Sequence, residues 1–165
     1  MHAVGPQNRF SIEKKREKDK DMEWMKLTVD YGVVGLLVAM SVVAVAVAIE
    51  RRLYYRKLSL DAFPDRKSLE LELTRKLHIL ATVASNAPYI GLLGTVLGIM
   101  LTFYTMGREG FMDTGKIMVG LALAMKATAV GLLVAIPAIT LYNFLVRRAK
   151  ELIFEWEIKN GREGI

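Results

Sequence analysis

Apolar and charged residues are segregated along the chain, and the blocks they form set its elements. Residues 31–49 and 79–107 hold no charge, and residues 117–146 hold only Lys126. A bilayer core takes about 20 helical residues to cross, so each run predicts a spanning helix. The pattern divides the chain into a polar N-terminal tail at 1–26, a first span at 27–49 and a charged linker at 50–78. A second span at 79–107, a short loop at 108–116, a third span at 117–146 and a helical extension at 147–165 follow.

The second and third runs carry stripes of small and hydroxyl residues. On the second, Gly91, Thr95, Gly98, Thr102 and Thr105 recur in steps of three and four. On the third, Gly120, Ala124, Thr128, Gly131, Ala135 and Ala138 keep the same rhythm. Such spacing sets each stripe on one helical face. Small faces let helix backbones come close in lipid, where apolar burial supplies no drive. The short loop, with Gly110 and Gly115, makes the two spans antiparallel neighbours.

The flanking segments read as follows. Val and Ala dominate the first span, which suits a peripheral, lipid-facing place. Ala46-Val47-Ala48 fits a cleavage pattern, but an apolar stretch longer than the usual ~7–15 residues favours an uncleaved anchor. In the linker, Pro64 suits a first helical turn with Asp61 as its cap. Leu69, Leu73, Leu77, Leu80 and Ala84 then keep helical spacing and predict an amphipathic helix running towards the second span. Asn86-Ala87-Pro88 is where that helix would break, kink or begin a new turn. Leu145, Ala149, Leu152 and Trp156 carry the third helix beyond the bilayer, to fray at Gly161 and Gly164. The mixed-sign segment KKREKDKD at 14–21 has no apolar periodicity. It reads as a solvated tail or short helix, or as a partner-binding arm.

Composition adds orientation and exclusions. Of 165 residues, 53% are hydrophobic, against about 45–50% in soluble domains. The formal charge is +6, which suits lipid headgroups rather than nucleic acid. Eight basic residues fall in the 50–78 linker and two in the 108–116 loop. Basic short connections stay in the cytoplasm, so the linker and C-terminus are placed inside and the tail outside. There is no cysteine, and the only histidines are His2 and His78. Disulfides are thereby excluded, a metal cluster is not expected, and no cofactor is called for. No nucleophile–base arrangement or phosphate cradle stands out, so no catalytic residue is assigned and an enzyme is not expected.

Three motifs are more specific. GLLGTVLGIM at 91–100 resembles the second-helix signature of the MotA/TolQ/ExbB proton-channel family. KATAVGLLVAIPAITLYN at 126–143 resembles its third-helix signature, and AIERRLYYRKL at 48–58 its exit from the first helix. Within the family the chain is most similar to the short ExbB type. The resemblance implies an all-α polytopic membrane protein with three transmembrane helices, the second and third extending into the cytoplasm. It implies a homo-oligomeric ring, a pentamer in ExbB, in a bacterial inner membrane with the N-terminus periplasmic and the C-terminus cytoplasmic. Inside the ring would sit ExbD-like single-span partners, each with a membrane aspartate. The proton motive force would then drive work on TonB. A TolQ-like subunit of the Tol-Pal envelope system is the neighbouring alternative. A MotA-type stator fits less well, given three spans and a short linker. A non-conducting membrane scaffold is the contrasting class.

The resemblance also implies that Gly91, Thr95, Gly98, Thr102, Thr128, Gly131 and Ala135 line the pore. One position departs from the family. Many ExbB and TolQ relatives carry a glutamate five residues before the third-helix threonine, where this chain has Leu123. Neither the second nor the third span holds any Asp or Glu. Carboxylates commonly mark proton routes through membranes, so the proton carrier is expected on the partner. Two roles stay open for the threonines: lining that route, or only satisfying helix packing. Lys126 lies about nine residues, roughly 14 Å, inside the third span. It stands about 200° around the helix from Thr128. It either snorkels outward or pairs with Asp30, or else meets a partner aspartate or a subunit boundary. Pro137 is expected to bend the third helix.

Overall fold

Small residues decide how closely the long helices approach, and large ones decide which faces stay open. The computed structural model describes the backbone at residues 6–109 and 114–161, and side chains at residues 24, 31–107 and 114–161. Its helices are α1 (Pro6–Lys57), α2 (Arg66–Thr74), α3 (Leu77–Glu109) and α4 (Thr114–Lys159), with a 3-10 turn at Leu60–Ala62. No strand occurs among the described residues. Among the described residues, three stretches are long and apolar enough to cross a membrane: Tyr31–Lys57, Arg66–Gly107 and Thr114–Lys159.

One face of α1 fills the groove between α3 and α4 in descending layers. Leu37 packs on Ala87 and Ala135. Below it Ala44 meets Val83, Ala84 and Ala138. Lower still, Val47, Ala48 and Tyr55 join Leu69, Leu73, Leu77, Leu80, Leu145, Ala149, Leu152 and Trp156. Numbers rise down α1 and α4 and fall down α3, so α1 and α4 run parallel and α3 opposes both. The other faces of α1 expose Leu36, Val38, Val42 and Val43, as a lipid-facing helix does. α4, with 46 residues, is about 69 Å long. That is over twice the ~30 Å of a bilayer core, so more than half of it extends beyond such a core, and its lower part joins the large cluster around Trp156.

Several junctions differ from expectation. The linker helix breaks at Arg75–Lys76, where Lys76 takes a left-handed φ of 67°. α1 satisfies the carbonyls this break leaves open: Arg51 donates to the Glu72 oxygen at 3.1 Å and the Tyr55 hydroxyl to that of Leu73. α3 runs through Pro88 without interruption. Ala87 beside it is fully buried against Leu37 and Ala135, and lipid offers a broken backbone no other partners. The cap of α2 is Asp65, whose carboxylate accepts from the Ser68 amide at 2.8 Å. Asp61 pairs with Lys159 instead. α1 continues into the tail, whose backbone is helical from Pro6. The connection after α3 is also shorter than 108–116, because α3 reaches Glu109 and α4 starts at Thr114. Gly110 and Gly164 lie outside the described residues, whereas Gly161, two residues past the end of α4, takes a φ of 62°.

Candidate functional site

The two small-residue stripes face each other along the α3–α4 seam. A Cβ on Gly91 would lie 2.8 Å from the Ala127 carbonyl oxygen and 3.1 Å from the Gly131 Cα. A Cβ on Gly131 would lie 2.7 Å from the Ala87 carbonyl oxygen. Gly98 abuts Ala124, and Gly120 abuts the Thr102 side chain. At Gly91 and Gly131 glycine is required by backbone approach, whereas at Gly98 and Gly120 the nearest neighbour is a side chain. Gly91 and Gly131 are buried at the seam, while Ala135 is buried beneath Leu37 of α1. Gly94 was not among the expected stripe residues. It meets both Ala127 and Val33 and so joins α1 to the seam. Its three- and four-residue spacing from Gly91 and Gly98 was the available signal.

Within this seam Thr95 and Thr128 meet hydroxyl to hydroxyl, both half-buried. Thr95 also lies within donating distance of the Gly91 and Ala124 carbonyls, 3.3 Å from each. Thr128 reaches the same Gly91 carbonyl at 3.3 Å. Each hydroxyl carries one proton, so these contacts are alternatives. The pair can exchange donor and acceptor roles without moving its helices. Thr102 and Thr105 instead donate down their own helix, to Gly98 and Leu101 at 2.8 and 2.6 Å. A threonine hydroxyl can pass or orient a proton but does not store a charge at neutral pH. Storage needs a titratable group, and neither α3 between 79 and 107 nor α4 between 117 and 146 has an acid.

The remaining expected residues lie apart. Lys126 and Leu123 are exposed on the side of α4 away from the seam. Pro137 lies inside a continuous α4 and is exposed. His78 is exposed at the start of α3. The side chain of Asp30, one expected partner of Lys126, lies outside the described residues. No group of three His, Cys, Asp or Glu side chains that could hold a metal occurs among the described residues.

Below the seam, a set of ion pairs ties α4 to the linker. Arg66 meets the buried Glu157 at 2.8 Å, and Lys76 meets Glu50 on α1. These contacts tie α2 to α4 and the Arg75–Lys76 break to α1.

Comparison with known proteins gives this geometry a context. Residues 49–158 match the MotA/TolQ/ExbB proton channel family. The chain is 58% identical over 140 residues to the biopolymer transport protein ExbB of Aquifex aeolicus (strain VF5), covering 85% of this chain and 95% of that protein. It is 50% identical over 137 residues to the protein of the same name from Helicobacter pylori (strain J99), covering 83% and 94%. It is also 43% identical over 84 residues to the Tol-Pal system protein TolQ of Pseudomonas aeruginosa, covering 51% and 36%.

Proposed function

The chain belongs to the MotA/TolQ/ExbB proton channel family, and on that premise we propose that it is the channel-forming subunit of an ExbB-like motor in a bacterial inner membrane. Copies of the chain assemble as a ring, a pentamer on the ExbB pattern, with the tail outside and the C-terminus in the cytoplasm. An ExbD-like single-span partner inside the ring bears the aspartate that carries the proton. Thr95 and Thr128 line that aspartate's route. Gly91, Gly98, Thr102, Gly131 and Ala135 form the closely packed wall that holds them. Each elementary charge crossing 100 mV releases about 2.3 kcal/mol, which the complex transmits to TonB. The chain itself performs no covalent chemistry.

The observation that carries this reading is the exchangeable Thr95–Thr128 contact in a seam without acids. It suits a route whose proton-binding group is brought by another molecule. The second reading, a TolQ-like subunit, is favoured less. Similarity to an ExbB extends over 85% of the chain and similarity to a TolQ over 51%.

The test is Thr95→Val and Thr128→Val in the complex with its single-span partner, reconstituted in vesicles. Proton flux falls while partner and chain still copurify. Unchanged flux in both variants would overturn the role given to the two threonines, and a complex that passes no more protons than bare vesicles would support a non-conducting scaffold and overturn the proposal.

A further inference from the structure

Lys126 plays no part in that route as drawn. It projects from the open side of α4, in an exposed stripe with Val119, Leu123 and Leu133. These positions recur at three, four and seven residues and so share one face. Its depth follows from its neighbours: Ala124 and Ala127 meet Gly98 and Gly94, in the middle of α3. The next cation outward on α4 is Lys116, about ten residues or 15 Å away. Among the described residues nothing hydrogen-bonds or pairs with the Lys126 ammonium.

A charge at that depth calls for an opposite one. The second and third spans offer none, since they contain no Asp or Glu. A further copy of the chain brings another lysine at the same level and no acid from those spans. We propose that Lys126 is a docking site for a carboxylate carried at mid-membrane depth by a different membrane-spanning helix, with Val119, Leu123 and Leu133 as the apolar bed beside it. The contact would hold that acid in its charged form, because an adjacent cation favours ionisation. The inference goes beyond the proposed motor: it rests on the chain spanning a bilayer and concerns a helix other than the one whose aspartate passes Thr95 and Thr128. It does not require that protons flow.

The test measures binding, so it can fail independently of the flux experiment. The full chain is placed in phosphatidylcholine vesicles with a fluorescent synthetic helix of about 24 Leu and Ala residues. One version has a single central Asp and its twin has Leu there. The Asp helix binds about threefold to tenfold more tightly than its twin, the range of polar contacts between helices in lipid. Lys126→Met removes the preference, while Lys126→Arg and Asp30→Asn keep it. Equal binding of the two helices, or a preference that survives Lys126→Met, overturns the proposal. So does a preference lost on Asp30→Asn, which would assign the lysine to its own chain.

Discussion

Thr95 and Thr128 share one acceptor, the carbonyl of Gly91, as well as touching each other. The seam thus contains a pair of hydroxyls that can exchange partners over one carbonyl.

On the proposed function, that pair separates transport from stability. Valine at either threonine keeps the shape and leaves one hydroxyl, which falls back on Gly91. The melting midpoint in detergent is expected to move by only a few degrees. Partner-driven proton flux is expected to fall about tenfold, the effect of losing roughly 1.4 kcal/mol from a transfer step. Serine at either position keeps most of the flux.

Close approach of backbones makes two glycines irreplaceable. Gly91→Ala and Gly131→Ala set a methyl against main-chain oxygens at 2.8 and 2.7 Å, which cannot swing aside. Each is expected to cost about 1–3 kcal/mol. Gly35→Ala, with nothing within 4 Å of its added Cβ, is expected to be neutral or slightly stabilising. Thermal unfolding of the three variants in one detergent checks the contrast.

The cluster outside the membrane depends on Trp156, which is 2% exposed. Trp156→Ala is expected to cost about 3–5 kcal/mol. Trp156→Phe is expected to cost clearly less, because the indole N–H has no hydrogen-bond partner among the described residues and its removal relieves a buried donor. Unfolding midpoints and protease sensitivity of the C-terminal extension give the order.

The start of α2 distinguishes two nearby acids. Asp65→Ala removes the cap and is expected to cost about 1 kcal/mol. Asp61→Ala loses an exposed pair with Lys159, expected to be worth well under that. Amide hydrogen exchange at Ser68 speeds up in the first variant and stays unchanged in the second.

The parts legible in the sequence are those governed by period. The facing stripes from Gly91 to Thr105 and from Gly120 to Ala138 follow from steps of three and four. So does the run of Leu145, Ala149, Leu152 and Trp156 into the lower cluster. The junctions were less legible. Lys76 takes a left-handed turn with no glycine to announce it. Its side chain reaches Glu50, and Arg51 and Tyr55 of α1 take up the open carbonyls before it, contacts made from elsewhere in the fold. Pro88 marked an interruption by its chemistry, yet packing of Ala87 carries the helix through it. Asp61 stands three residues before Pro64 and Asp65 one after it; α2 begins at Arg66, which makes Asp65 its cap, and Asp61 stays in the preceding 3-10 turn, paired with Lys159. In the candidate site, the threonines were visible as residues on facing stripes. Their shared Gly91 acceptor depends on the register of α3 against α4, which a single helix pattern does not contain.

The central claim is that this polypeptide provides the walls and a separate one provides the acid. The direct measurement is proton uptake into vesicles under a valinomycin-set potential, first with the purified chain alone and then with its single-span partner. The account predicts uptake at the rate of bare vesicles for the chain alone, a marked rise with the partner, and loss of that rise when the partner's membrane aspartate becomes asparagine. Fast, proton-selective uptake by the chain alone would contradict it.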